Sequence, residues 1–301
     1  MELSTNKEIQ VPIEPAEDKA VSPWLEAWRS FRKNKLAVIG TFIVLFFVLL
    51  AIFAPYIAPE GINEQKLTAS DRLQAPSSEH WFGTDDFGRD VFSRVVYGSR
   101  ISLWVGFLAV MGSIVVGCLL GIIAGYYGKW VDSVISRFFD ILLAFPSILL
   151  AIAIVAVLGP SLRNALIAIA VINIPNFGRL IRSRVLSVKQ EEYIFAAKAV
   201  GMKNSRILFH HVMPNSIAPI IVQGTLAIAT AIIEAAALGF LGLGAEAPNP
   251  EWGKMLSDAR AFLTQAPWTL FFPGLAIVLT VLGFNLMGDG LRDALDPRMK
   301  N

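Results

Sequence analysis

The carboxylate of Glu234 stands near the middle of an apolar stretch, 217–241, where a charge is unfavourable by roughly a few kcal/mol. Two roles fit it. It faces a translocation path, where it can meet a substrate's ammonium group, or it is a protonated or hydrogen-bonded carboxyl that holds helices together. Asn173, Gln223 and Asn285 lie in apolar stretches too and read as interhelical hydrogen-bonding residues. Asp140 follows Arg137 by three residues, the spacing of a local helical ion pair. His80, Asp85, Asp86 and Asp90 are close enough in sequence to suggest a metal site, but Arg89 and Arg94 beside them point to local salt bridges and turns. His210 and His211 lack an i, i+4 ligand partner, so no metal site is assigned. A membrane-embedded enzyme would need convergent Ser/His/Asp, paired Asp or metal ligands within the spans, and the spans offer none.

These residues sit in a chain that is 54% hydrophobic and 17% charged, where a soluble domain would carry nearer a quarter charged residues. A helix needs about 20 apolar residues to cross the hydrocarbon core. Six stretches qualify: 36–53, 101–124, 138–158, 165–177, 217–241 and 270–287. The fourth is short and interrupted by Asn173 and Pro175. Basic residues cluster before the first span (Arg29, Arg32, Lys33, Lys35), between the fourth and fifth (Arg179 to Arg206), and after the sixth (Arg292, Arg298, Lys300). The positive-inside rule puts all three regions, and so both termini, in the cytoplasm. The net charge of +2 gives no argument for nucleic acid, and the lone Cys118 reads as a small core residue. Residues 1–23 read as a disordered cytosolic tail, 24–35 as a basic segment before the membrane, and 36–301 as an all-α membrane domain of six helices.

Residues 187–216 interrupt the apolar pattern on the cytosolic side. From Ser187 to Val200 there is no Gly or Pro, and Glu, Gln, Lys and Ala favour helix. Gly201 can end that helix with a left-handed turn, Asn204 or Ser205 can cap a second one starting at Arg206, and Pro214 precedes the fifth span. Ile194, Ala197 and Val200 form a narrow apolar stripe at three-residue spacing. Such a stripe can lie in a partner's groove or rest on lipid headgroups.

"FAAKAVG" followed by "HVMP" resembles the EAA loop of binding-protein-dependent ABC importers, with Ala196, Ala197, Gly201 and Pro214 at matching positions. Phe195 replaces the pattern's Glu, His211 its Ile and Met213 its Leu. "HWFGTDDFGRDVFSRVVYGSRISLWVG", "LGFLGLGAEAPNPEWGKML" and "GFNLMGDGLRDALDPRMK" resemble the C-type permease subunit of dipeptide, oligopeptide and nickel importers, and nearly everything after residue 24 shares the likeness. The resemblance implies a type I importer permease whose coupling helix docks on a cytosolic ATPase. Ala196, Ala197 and Gly201 would allow close approach, with Met202 and Lys203 flanking the contact. It also implies a heterodimer with a sister permease, two ATPase subunits and an extracytoplasmic peptide-binding protein. Pro250, Glu251, Trp252 and Gly253 would face that protein or gate the path outside. ATP and Mg would sit on the ATPases and no cofactor on this chain, which has no G-x-x-x-x-G-K-[ST] loop; "GIIAGYYGKW" has the wrong spacing. The cargo implied is di- or oligopeptide, with nickel, metal chelates or glutathione as alternatives. An ion-coupled carrier would need more charge within the spans and no docking loop.

Overall fold

A computed structural model describes residues 23–61 and 71–295; most of the expected tail, together with Arg298 and Lys300, lies outside the described residues. The described residues form twelve α-helices: α1 (Pro23–Lys33), α2 (Lys35–Ile52), α3 (Ala54–Ile57), α4 (Val91–Tyr127), α5 (Lys129–Leu143), α6 (Ser147–Leu158), α7 (Leu162–Val188), α8 (Glu192–Ala199), α9 (Asn204–Ile207), α10 (Met213–Phe240), α11 (Trp252–Ala259) and α12 (Trp268–Leu295). Helices α2, α4, α7, α10 and α12 are each long and apolar enough to cross a membrane, and α5 with α6 makes a sixth candidate.

The expected spans 138–158 and 165–177 need correction. The first is broken: α5 and α6 meet at 93°. Pro146 has no N–H to donate to the Leu142 carbonyl and its ring obstructs a continuing helix, so the chain turns there. The second is much longer than expected, because Pro175 is accommodated within α7 and the helix runs on through the arginines to Val188.

The broadest packing is between α4 and α7. On α4, Gly117, Gly121 and Gly125 recur every four residues and face α7. A Cβ on Gly117 would lie 2.6 Å from the Ile174 carbonyl oxygen and 2.9 Å from Phe177 Cβ. Small residues at this spacing let two membrane helices approach backbone to backbone. The main core runs through α4, α6, α7 and α10. Helix α2 packs on α12, and Asn34 caps α2 by accepting hydrogen bonds from the Leu36 and Ala37 amides at 3.1 and 3.2 Å.

At the outer end, Asp90 caps α4 by accepting from the Ser93 amide (2.7 Å) and shares a buried hydrogen bond with His80 Nδ1 (3.1 Å). Asp85 accepts from Arg89 Nε at 2.6 Å and lies 3.6 Å from Arg94 Nε. Asp85 and Asp90 are thus engaged in turns and ion pairs. Burial, followed by the neighbouring Asp85, pushes the Asp86 carboxyl above its ordinary value.

Candidate functional site

Residues 192–207 form a helix, a left-handed turn and a helix, as the Gly201 break suggests. Gly201 has φ +77°, and the Met202 amide reaches back to the Ala197 carbonyl at 3.0 Å while Val200 bonds to Ala196 at 3.2 Å. This six-to-one closure satisfies carbonyls at the end of α8. The second helix begins earlier than expected: the Lys203 carbonyl accepts from the Arg206 and Ile207 amides, so α9 opens at Asn204. A π-helical turn, Leu208–Val212, then leads directly into α10. This segment and α10 are therefore continuous from residue 204 onward.

The expected apolar stripe does not form one outer surface. Ile194 and Ala197 are buried in the chain's own core, as is Ile207, while Val200 is 82% exposed. The face turned outward carries Tyr193, Phe195, Ala196, Ala199 and Val200, with Gly201, Lys203 and Pro214 exposed beyond it and Met202 packed partly against the core. Phe195, at the position where the resemblance lacks a carboxylate, is 59% exposed.

Glu234 lies at the centre of a second arrangement. It is 8% exposed, and its Oε2 accepts from Asn173 Nδ2 of α7 at 3.1 Å. The Ser147 side chain, at the first residue of α6, interacts with the same carboxyl. Asn173 Nδ2 also donates to the Ile169 carbonyl (3.0 Å), and Asn176 Nδ2 donates to Asn173 Oδ1 (3.4 Å). Three helices thus meet at one carboxyl, and Asn173 is interhelical as expected. Gln223 and Asn285 are half-buried and, among the described residues, join no such bond. Ser147 and Asn176 escape sequence reasoning. Their signal is Pro146 in mid-stretch, with Ser147 directly after it as the opening residue of α6.

Asp140 pairs across helices with Arg179 of α7 (2.6 Å), not locally with Arg137. Asp132 of α5 takes both Arg182 Nε and, at 2.6 Å, Arg182 Nη2. Lys189 Nζ donates to the Gly125 and Tyr126 carbonyls at the end of α4 (3.2 and 2.8 Å). The cytosolic ends of α4, α5 and α7 are therefore tied together by charge.

Pro250, Glu251, Trp252 and Gly253, expected to face a binding protein or gate the path, are all buried within this chain. Trp252 is 0% exposed, donates its indole N–H to the Val95 carbonyl at 3.0 Å and sits edge-on to Phe47. Glu251 caps α11, accepting from the Gly253 and Lys254 amides at 2.8 Å each. Burial pushes its carboxyl above the ordinary range, against the opposing hydrogen bonds from those amides and from the Ser102 hydroxyl. A Cβ on Gly253 would come within 2.6 Å of Ala236 Cα, so only glycine lets α11 rest on α10. The segment caps this end of the bundle. The exposed residues of this loop are Glu246, Ala247, Pro248 and Asn249.

This architecture, a bundle of long apolar helices interrupted by the helix–turn–helix of α8 and α9, is that of an ABC importer permease. The family of binding-protein-dependent transport system inner membrane components matches residues 117–301, and the N-terminal transmembrane domain of oligopeptide transport permease C matches residues 22–76. The chain belongs to this family of ABC transporter permeases; it is a multi-pass membrane subunit and not itself the ATPase. Among individual relatives, it is 66% identical over 289 residues to the dipeptide transport system permease protein DppC of Alkalihalophilus pseudofirmus, covering 95% of this chain and 94% of that one. It is 47% identical over 286 residues to the glutathione transport system permease protein GsiD of Pectobacterium atrosepticum, covering 94% of each. The MetNI methionine ABC transporter, solved in inward-facing conformations, shares the fold: TM-score 0.56 at 17% identity, over 68% of this chain and 97% of that one.

Proposed function

We propose that this permease carries dipeptides and other short peptides into the cell, paired with a sister permease and driven by two ATPase subunits that dock on the outward face of α8. An extracytoplasmic peptide-binding protein delivers the cargo, and both termini lie in the cytoplasm. The reading of the cargo rests on the 66% identity to a dipeptide permease along almost the whole chain. The coupling assignment rests on one observation. The face of α8 around Ala196 and Gly201 is exposed, while its other face is packed into the bundle that continues into α10. Met202, Lys203 and Pro214 flank the contact. A push on this face therefore reaches a transmembrane helix through a short, regular connection. Glutathione is the second reading, favoured by relatives named for its transport at 47–49% identity.

The test is purification of the complex from its native membrane, followed by uptake of labelled dipeptide with unlabelled glutathione as competitor. An ATPase should co-purify and be lost in Ala196→Trp and Gly201→Trp, with the thermal midpoint of Ala196→Trp unchanged. Retention of the ATPase in both variants defeats the docking assignment, and competition by glutathione at equal concentration shifts the cargo to the second reading.

A further inference from the structure

The break between α5 and α6 sits at an unusual depth. Helix α6 has 12 residues, which rise ~18 Å, against a hydrocarbon core of about 30 Å. Asn173, whose amide meets the same carboxyl as Ser147, stands 11 residues after the start of α7, or ~17 Å along it. The two estimates agree, and they place the elbow at 144–146 inside the membrane. The ion pairs of α5 with Arg179 and Arg182 fall ~26 and ~30 Å along α7, near the cytosolic boundary.

Residues 143–147 are all exposed on this chain. Pro146 deprives the Leu142 carbonyl of its helical donor. Non-helical backbone at membrane depth is tolerated where protein buries it or where it lines a water-filled cavity, and not against lipid. Further polar groups open onto the protein surface nearby. Asn176 is exposed and hydrogen-bonded to Asn173, and Thr230, exposed one turn before Glu234, points along the same side of α10. The buried carboxyl is thus the inner end of a polar track, Glu234–Asn173–Asn176, leading to the surface beside an irregular backbone.

We propose that the elbow and Glu234 form a water-lined station of the translocation path that takes the α-ammonium group of the transported peptide. The carboxyl supplies the countercharge, and the elbow carbonyls supply neutral acceptors. This rests on the reading of the chain as a peptide-importing permease. A purely structural Glu234, clamping α6 and α7 to α10, makes the opposite forecast for two conservative changes. Glu234→Gln keeps an acceptor oxygen at the right reach for Asn173 and Ser147 but removes the charge. Glu234→Asp keeps the charge but withdraws it by one methylene.

The experiment uses the full transporter in proteoliposomes, with its binding protein and saturating labelled dipeptide. Glu234→Gln should lower turnover at least tenfold while leaving the half-saturating peptide concentration and the thermal midpoint unchanged, and Glu234→Asp should retain the greater part of turnover. Wild-type turnover in Glu234→Gln, or failure of Glu234→Asp with Glu234→Gln active, overturns the proposal in favour of the clamp. In parallel, Ala144→Cys in a Cys118→Ala background should react with a membrane-impermeant thiol reagent and be protected by peptide during turnover. No reaction means that a partner covers the elbow, and the station is refuted. If the wild type moves no dipeptide, the cargo reading fails and the ammonium assignment with it, while labelling at position 144 still decides the water-lined elbow.

Discussion

Gly117→Ala, compared with Gly112→Ala on the same helix, tests the close approach of α4 and α7. A Cβ at 117 would lie 2.6 Å from a carbonyl oxygen, 2.9 Å from Phe177 Cβ and 3.1 Å from the Gly178 amide nitrogen. Ordinary contact begins near 3.4 Å, and none of these neighbours is the tip of a flexible side chain. The helices must part by about 0.8 Å. A gap of that size forfeits about a quarter to a half of each contact's ~0.1–0.2 kcal/mol. Taking the middle of each range over the ~40–60 contacts of a patch the size of a buried leucine, the loss is about 3 kcal/mol. Alanine's higher helix propensity returns about 1 kcal/mol, so crowding wins. At 112 the new methyl meets Ala170 Cβ at 3.5 Å, ordinary contact, and the propensity gain stands alone. The two variants should differ by about 3 kcal/mol in reversible denaturation in mixed micelles, with Gly117→Ala the less stable. Equal stability would mean that α4 and α7 are not backbone-packed, and the fold described above would need revision.

Trp252→Phe removes the indole donor to Val95 and should destabilise the outer cap by about 1–2 kcal/mol, read as faster proteolysis of the 246–268 loop. Glu251, raised in the folded state, contributes stability that is complete below its ordinary value of about 4.3 and is lost as pH rises through the raised value. The thermal midpoint of the wild type should therefore fall relative to that of Glu251→Gln across this window and run parallel above it. Asp132→Asn and Arg182→Gln should couple in a double-mutant cycle by about 1 kcal/mol or less, because the pair is partly exposed and screened.

The membrane class, the helical break between the fourth and fifth apolar stretches and the Gly201 turn were legible because each follows from local chemistry: apolar length, helix propensity and a residue suited to positive φ. Three features were not. Pro146 signals a kink in the third span, but the size of the α5–α6 break was hidden because apolar composition runs on through it and hydropathy carries no angle. Pro175 misled in the other direction, since the same residue type is absorbed within α7. The burial of 250–253 was hidden because "PNPEWGKML" has the polar and turn-forming look of a surface loop. Its carboxylate is buried only because Gly239 and Gly253 let it and its helix sit against α10. The GxxxGxxxG run on α4 was visible in the letters all along, and its meaning depended on finding Gly178 opposite.

Helix α10 gives these separate features a common mechanical logic. Its 28 residues span ~42 Å, longer than the hydrocarbon core. At its cytosolic end the π-helical turn joins it directly to the segment bearing Gly201. Along it stands Glu234, meeting α6 and α7, and at its outer end Ala236 and Gly239 form the seat of α11 and the Glu251 cap. A tilt imposed at the cytosolic end cannot be taken up at the outer end by flexible side chains, because Gly253 and Ala236 meet backbone to backbone. It must either move α11 with α10 or part them. On the proposed coupling, a displacement carried along α10 would be met at α11, which is held on its other side by Trp252 against Val95 of α4. The elbow between α5 and α6, which meets α10 at Glu234, would feel the same displacement at mid-helix.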